Sequence, residues 1–182
     1  MKAKIIALSL LLSVSSVCCA DTTGYLSLRS GVSNIHWDPD EINDKFSDTV
    51  ANVAFAGGAN IRGDVVGGRV ELEWTHYFKA EDKSFGGKLD LDTLIVNGYL
   101  DLYPAEWMNF YLTAGGGTRW SKAEYCGRYC ASDRSHGGAF QAGAGFMFNF
   151  NRNLSLDLGY RYARLASDAY SHNAQLGFTF NF

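Results

Sequence analysis

Eight segments of this chain alternate apolar and polar residues with a period of two, which is the pattern of β-strands. They lie near residues 23–34, 49–61, 65–78, 89–103, 107–120, 138–150, 154–166 and 171–182. The apolar face of every segment lacks Asp, Glu, Lys and Arg, although charged residues make up 19% of the chain. The pattern predicts an all-β fold of eight antiparallel strands. A bundle of membrane-spanning helices is excluded, because no segment has the roughly 18 consecutive apolar residues that such a helix needs.

The opposite, polar face of these segments carries charged side chains. A membrane barrel turns its apolar face to lipid and its polar face to the lumen, whereas a soluble eight-stranded ligand carrier does the reverse. Side chains fill the interior of a barrel of this size, so charges buried there must pair. In a membrane barrel we therefore expect a lumenal charge network made of Arg29, Arg69, Glu71, Glu73, Asp101, Asp157 and Arg161.

Three features favour the membrane barrel over the soluble carrier. The apolar faces are about five positions long, which matches strands of roughly ten residues that cross a bilayer at a tilt. Eight is an even strand number and the smallest for such barrels. Aromatic residues gather at both ends of the segments, as in interfacial girdles. They are Tyr25, Tyr103, Trp107, Phe150 and Phe182 at one end, and Trp74, Phe78, Trp120 and Tyr162 at the other.

Residues 1–20 have the three parts of a secretory signal peptide. Lys2 and Lys4 give a positive start, a short apolar run follows, and Cys18-Cys19-Ala20 provides small residues for cleavage. The apolar run is too short for a membrane anchor, and the sequence before the cysteines lacks the Leu that is usual at lipid-modified sites. We expect a cleaved signal peptide at 1–20, followed by one barrel domain at 21–182.

Export also determines the state of the cysteines. Of the four in the chain, Cys126 and Cys130 remain after the signal peptide is removed. An oxidising compartment favours a disulfide between them. A metal site that includes His136 is the alternative, but structural zinc takes four ligands and no fourth is evident. The sequence therefore predicts a disulfide, with no metal and no cofactor.

The connections between the segments alternate in length. Outer-membrane barrels have short periplasmic turns and longer outside loops, so both chain termini are expected in the periplasm. The tight turns are 62–64, 104–106 and 151–153. The connections that alternate with them are 35–48, 79–88 and 121–137, which are longer, and 167–170, which is short.

The fourth segment contains a break in its pattern. Leu89 and Leu91 fall on the opposite face from Leu94 and Val96. A β-bulge near Thr93, or a strand end beyond the bilayer, would account for the break.

The end of the chain resembles a known family of proteins. The sequence closes with Leu176-Gly177-Phe178-Thr179-Phe180-Asn181-Phe182, and a terminal Phe after alternating aromatics resembles the signal that the barrel assembly machinery recognises. That assembly signal would consist of Phe178, Phe180 and Phe182. Segments 143–146 and 151–162 are similar to the penultimate hairpin of the OmpA-like and opacity-type small barrels, which are surface proteins of Gram-negative bacteria. The resemblance implies an eight-stranded antiparallel up-and-down transmembrane β-barrel in the outer membrane, in contact with lipid and lipopolysaccharide.

The resemblance also implies a non-enzymatic surface protein. Its expected roles are envelope integrity and surface interaction, with host surface or serum proteins as partners. A net charge of −3 gives no support for nucleic-acid binding, and we expect a monomer.

Two alternative functions stay open at this point. The first is a small gated pore. The second is a lipid A-modifying hydrolase, which would need a nucleophile, a base and an acid within reach of one another. His76, Ser171 and His172 lie near one rim, with Glu73 nearby in sequence. Because exposed histidines more often have no catalytic role, the sequence predicts no catalytic residues.

Overall fold

The computed structural model describes residues 21–37, 46–82, 87–126, 130–166 and 169–182. These residues form eight strands. They are β1 (Asp21–Trp37), β2 (Phe46–Arg62), β3 (Val66–Asp82), β4 (Gly87–Ala105), β5 (Met108–Cys126), β6 (Cys130–Asn149), β7 (Leu154–Arg164) and β8 (Ala169–Asn181). Among the described residues, no helix has the length and apolar character to cross a membrane.

Every strand pairs in antiparallel fashion with the next strand in the chain, and β1 also pairs with β8. This last pairing closes the sheet, so the eight strands form an up-and-down barrel. Closure leaves no open sheet edge in the paired region, which is a requirement for strands that face lipid. The predicted fold class, strand number and strand order are confirmed.

The barrel is apolar outside and polar inside. Leu26 and Phe178 expose 60% and 52% of their surface on the outer face, whereas Arg29 and Asp157 expose only 1% and 2% inside. A soluble ligand carrier would have its apolar residues in the interior. The structure therefore excludes that alternative and has the polarity of a membrane barrel.

The two ends of the barrel differ. Both ends of the described chain and the connections 63–65, 106–107 and 150–153 lie at one end, called here the turn rim. There the backbone N–H of Phe182 donates to the carbonyl of Gly24 at 2.9 Å. The opposite end, called here the loop rim, is formed in the described residues by the strand ends at Trp37 and Phe46, Asp82 and Gly87, Cys126 and Cys130, and Arg164 and Ala169.

Strands extend further toward the loop rim than the sequence predicts. Residues 121–137 were expected as a loop, but β5 and β6 remain paired up to Cys126 opposite Cys130. The pairing between β6 and β7 stops at Phe140 and Arg164, so the tip of the β5–β6 hairpin projects beyond the closed barrel. Hydrophobic alternation does not reveal this extension, because the projecting strands have no lipid to face.

The expected bulge near Thr93 is wrong. The pairing of β3 with β4 is continuous through Thr93, and the register shift lies in β3 between Tyr77 and Ala80. Leu91 keeps the inward direction of Thr93 and is 4% exposed. It broke the sequence pattern because this apolar side chain lies inside the barrel.

Candidate functional site

The barrel interior divides into three levels along its axis. A polar vestibule lies at the turn rim, a layer of paired charges fills the middle, and an apolar cluster occupies the end near the loop rim. Inward positions come from alternate residues of all eight strands, so each level is assembled from residues far apart in sequence.

Arg29 of β1 is the centre of the charge layer. Its Nη1 and Nη2 donate to the two carboxylate oxygens of Glu71 at 2.9 and 2.6 Å. Its Nη1 also donates to Glu73 at 2.8 Å, and its Nε donates to Asp157 at 2.9 Å. One guanidinium therefore neutralises part of the charge on three carboxylates from two other strands. Hydrogen bonds between charged groups are stronger than neutral ones, and these side chains are buried.

Arg161 of β7 provides the second cation of this layer. Its Nη1 pairs with Glu73, and its Nη2 donates to the hydroxyl of Tyr99 at 2.8 Å. Gln141 donates from Nε2 to Glu73 at 3.0 Å and to Asn97 at 2.7 Å. The carboxylate of Glu73 thus receives donors from three strands besides its own.

Arg69 forms a separate pair closer to the turn rim. Its Nε donates to Asp101 at 2.8 Å, and the other oxygen of Asp101 accepts from Asn109 at 2.9 Å. The Arg69 guanidinium lies over the ring of Tyr99, 4.2 Å from the centroid, and 5.2 Å from that of Tyr111. Cation–π contact supplements the single ion pair of this arginine.

Three tyrosines complete the network. The sequence analysis assigned Tyr25 to an aromatic girdle, and this is wrong because its side chain lies inside the barrel and is 1% exposed. It did not name Tyr99 or Tyr111. The hydroxyl of Tyr25 donates to Glu71 at 3.0 Å, that of Tyr99 donates to Glu71 at 2.7 Å, and that of Tyr111 donates to Asp157 at 2.7 Å. A signal for them was present. Each tyrosine lies on the same face of the sheet as a charged residue of its own or a neighbouring strand, because alternate positions along a strand point the same way. The alternation therefore assigns each tyrosine to the polar face.

An apolar cluster fills the interior near the loop rim. Its buried members are Val50, Tyr77, Leu91, Ala163 and Leu165, with Ile35 and Ala169 packed against them. We call this cluster the apolar plug. The charge layer and the apolar plug thus place buried side chains across the lumen at two levels.

The vestibule at the turn rim is a cavity of about 660 Å³. Its floor includes Tyr25, Arg69 and Asp101, and its walls are rich in asparagine. Asn149 donates to the carbonyl of Glu106 there at 3.1 Å. Most of the residues that line the cavity are polar or charged, as expected for a space at one end of a membrane barrel.

The candidate catalytic residues are not brought together. Ser171 points inward and is fully buried, whereas His172, the next residue of β8, points outward. Glu73 is held by two arginines inside the barrel, and His76 lies outside with its Nδ1 2.9 Å from Asp92. A hydrolase needs its nucleophile and base on the same side of the sheet.

The remaining predicted residues lie at the surface or at the limits of the described region. Phe178, Phe180 and Phe182 point outward and are 52%, 51% and 67% exposed. The backbones of Cys126 and Cys130 are directly opposite each other, but their side chains lie outside the described residues. Within the described parts of the chain, no group of three or more His, Cys, Asp or Glu side chains is arranged to hold a metal ion.

Comparison with known families agrees with a barrel that is apolar outside and polar inside. The family model described as the outer membrane protein β-barrel domain matches residues 5–182. The chain belongs to this family. It is thus a transmembrane barrel of the bacterial outer membrane, and its apolar outer face is the face that contacts lipid. Among curated proteins, no sequence matches the chain.

Solved structures with the same fold include two small outer-membrane barrels. Ail, the attachment invasion locus protein of Yersinia pestis, is 19% identical with a TM-score of 0.59, and the match covers 87% of this chain and 99% of that one. NspA, a Neisserial surface protein, is 15% identical with a TM-score of 0.64, covering 86% and 97%. Ail has also been solved in complex with the heparin analogue sucrose octasulfate, with the same identity, score and coverage. At sequence identities of 19% and 15%, these comparisons show that the proteins share a fold.

Proposed function

We propose that this outer-membrane barrel is a non-enzymatic surface protein that binds external molecules through its loop rim. The charge layer and the apolar plug place buried side chains across the interior between the two rims. The parts that remain available to other molecules are the rims and the outer wall. Function in small barrels commonly resides in loops on a rigid scaffold.

The observation that carries this proposal is the projecting β5–β6 hairpin. Residues 130–139 pair with β5 alone, because the pairing of β6 with β7 begins at Phe140. Backbone groups along this edge of β6 are available to a partner, as they are at any strand edge. The tip would be held by the disulfide that we propose between Cys126 and Cys130.

The orientation is part of the proposal. Short turns and both ends of the barrel domain share one rim, which in outer-membrane barrels is the periplasmic side. The loop rim would then face the outside of the cell. Assembly would use the outward aromatics Phe178, Phe180 and Phe182, and the barrel would work as a monomer in contact with lipid and lipopolysaccharide.

The test is a binding experiment on intact cells. A non-adherent Gram-negative host displays the protein, or a variant in which residues 122–135 are replaced by a Gly/Ser linker. Binding to host cells, serum proteins, matrix proteins and heparin is then compared. Heparin is included because the structurally similar Ail has been solved with a heparin analogue.

A matched control replaces residues 150–153, a connection at the turn rim, with a linker of the same composition. We expect binding by the wild-type protein and by this control, and its loss in the hairpin variant. Equal binding by all three proteins, or binding by none when each is folded at the surface, contradicts the proposal.

A further inference from the structure

Arg69 has two hydrogen-bond donors that no described residue accepts. Its Nε donates to Asp101 at 2.8 Å, but its Nη1 and Nη2 are buried and have no acceptor among the described residues. The side chain is only 3% exposed, and it lines the polar vestibule at the turn rim. Buried donors without acceptors are rare in proteins, because each one costs free energy. These two donors are therefore available to a group that enters the vestibule.

Arg29 shows how a guanidinium is fully used in the same barrel. Its Nε donates to Asp157 at 2.9 Å, while its Nη1 and Nη2 donate to the two carboxylate oxygens of Glu71 at 2.9 and 2.6 Å. Arg69 makes the first kind of contact, with Asp101. It does not make the second kind, in which one carboxylate contacts both terminal nitrogens end-on. The end of its guanidinium thus has the shape and charge to bind the carboxylate of another molecule.

Tyrosine rings hold the Arg69 guanidinium without accepting its terminal N–H groups through an oxygen. Its central carbon lies 4.2, 5.2 and 5.8 Å from the ring centroids of Tyr99, Tyr111 and Tyr25. A ring attracts the positive charge but has no oxygen lone pair on its face. The hydroxyls of these tyrosines already donate to carboxylates of the charge layer. The rings therefore fix the position of the guanidinium and leave its terminal nitrogens for a ligand.

The vestibule extends from Arg69 to the turn rim. Its lining includes Arg62, Glu106 and Arg152, which are exposed at that rim. Its volume of about 660 Å³ lies within the range of small-molecule sites, roughly 300 to 1,000 Å³. A small solute can therefore enter at the rim and reach the buried guanidinium.

The charges that line the vestibule favour a singly charged anion. Three arginines and two acids line the cavity, which leaves one positive charge at neutral pH; they are Arg62, Arg69, Arg152, Asp101 and Glu106. One carboxylate balances this charge, whereas a doubly charged phosphate exceeds it. The two arginines at the rim also attract an anion toward the entrance.

Asn60 offers an acceptor beside the two donors. It is directly opposite Arg69 in the register of β2 and β3, and it lines the same cavity. Its Oδ1 is buried and has no donor among the described residues. Two donors with an acceptor beside them match a carboxylate whose neighbouring carbon carries a hydroxyl group. A hydroxyl is favoured over an ammonium group, because an ammonium would be repelled by the guanidinium of Arg69.

We propose that the vestibule binds a small α-hydroxy carboxylate. Its two carboxylate oxygens accept from Nη1 and Nη2 of Arg69, as those of Glu71 accept from Arg29, and its hydroxyl donates to Oδ1 of Asn60. This site lies inside the barrel at the turn rim. It does not depend on surface binding by the β5–β6 hairpin, so either proposal can fail without the other.

The experiment is an NMR titration of the protein folded in detergent micelles. L-lactate, propionate, propionamide or inorganic phosphate is added at pH 7 and constant ionic strength. The signals followed are the Nε–H of Arg69 and the backbone N–H of Thr179, which also lines the vestibule. We expect saturable shifts with lactate and propionate. Lactate should bind about fivefold more tightly, because its hydroxyl adds about one hydrogen bond.

Two further solutes test the chemistry of the site. Propionamide resembles propionate in shape but has no charge, and it should give no saturable shift. Inorganic phosphate should bind more weakly than lactate, because its charge at pH 7 exceeds that of the cavity.

Variants assign the binding to the two residues, with the Thr179 signal as the measurement. Arg69→Lys keeps a positive charge but not the paired nitrogens, and should lose saturable binding of both carboxylates. Asn60→Ala should bind lactate no more tightly than propionate, with the affinity for propionate unchanged. The matched control Arg152→Gln removes an exposed charge from the same cavity. It should weaken both ligands by less than about threefold, because exposed charges interact weakly in water.

Folding of each variant is checked by the difference in gel mobility between unheated and boiled samples. If Arg69→Lys does not fold, the comparison of propionate with propionamide in the wild type still decides the case. The proposal is overturned if the wild type gives no saturable shift with either carboxylate, or if propionamide binds as propionate does. Tighter binding of phosphate than of lactate, or full binding by a folded Arg69→Lys variant, overturns it as well. Equal affinities for lactate and propionate in the wild type contradict the contact with Asn60.

Discussion

Arg29 and Glu71 meet end-on inside the barrel, with two N–H···O contacts of 2.6 and 2.9 Å from Nη2 and Nη1 on β1 to the carboxylate oxygens on β3. Both side chains are almost completely buried. The same arginine also reaches Glu73 and Asp157. Because a buried charge without a partner is far more costly than a buried pair, the stability of the charge layer depends strongly on this one residue.

Replacing Arg29 by Ala should lower the free energy of unfolding by about 3 to 5 kcal/mol, since it leaves three buried carboxylates with fewer donors. Urea titration of the refolded barrel, followed by tryptophan fluorescence, measures the change. Arg29→Lys keeps the charge but not the two-bond contact with Glu71, and should lie between wild type and Ala.

The control for this prediction is Arg62→Ala. Arg62 is exposed at the turn rim and stacks over Tyr103 at 4.8 Å, so its loss should change stability by less than about 1 kcal/mol. Equal effects of Arg29→Ala and Arg62→Ala would show that the network is not a main source of stability.

Two glycines make room for the inward ring of Tyr111. A Cβ atom at Gly159 would lie 2.3 Å from the Tyr111 hydroxyl oxygen, and one at Gly145 would lie 2.4 Å from it. Gly159→Ala must therefore displace the ring from Asp157, and we expect a loss of about 1 to 3 kcal/mol in the urea titration. Gly138→Ala is the matched control, because nothing lies within 4 Å of its Cβ position. A neutral Gly159→Ala would contradict the close contact.

The filled interior also leads to a prediction about ion conductance. Arg29, Arg161 and the apolar plug occupy the lumen between the two rims, and an eight-stranded barrel has no spare width around them. We expect purified protein to give no stable conductance steps in planar lipid bilayers. Steady channels of uniform size from the wild-type protein would favour the pore alternative instead.

Much of this fold could be predicted from the sequence, because the side chains that face lipid must be apolar on every strand. Residues such as Leu26, Val70 and Phe178 alternate with inward polar residues, and the alternation reveals strand number and facing. Arg29, Glu71 and Asp157 occupy the alternate positions that do not face lipid, so the same alternation assigns them to the interior.

The partners within the interior could not be predicted in the same way. Arg29 contacts Glu71, Glu73 and Asp157 but not Asp101, which pairs with Arg69. Which carboxylate each arginine contacts depends on how far neighbouring strands are shifted along one another. Period-two alternation carries no information about that shift. The apolar plug was missed for a different reason. Leu91 and Val50 are apolar residues on a face that is otherwise polar, so they disturb the pattern instead of extending it.

The proposed disulfide makes a chemical prediction. Directly opposite residues on antiparallel strands have Cα atoms about 4.5 to 5.5 Å apart, which a disulfide can bridge. Cys126 and Cys130 are such a pair. Both thiols should therefore resist alkylation in protein taken from cells until a reductant is added, as read by intact mass. Ready labelling of the unreduced, unfolded protein would rule the bond out.

Phe182 allows assembly to be separated from stability. Its side chain is 67% exposed, and its backbone N–H bonds the carbonyl of Gly24. If Phe182 belongs to an assembly signal, Phe182→Ala should reduce the amount of folded protein in the outer membrane several-fold. The same variant should refold in detergent with a stability within about 1 kcal/mol of the wild type, because an exposed side chain contributes little to packing.

Phe150→Ala, which removes a similarly exposed ring at the same rim, is the control and should assemble normally. Equal losses for both variants in cells would mean that the girdle at the turn rim matters and the position of the terminal Phe does not.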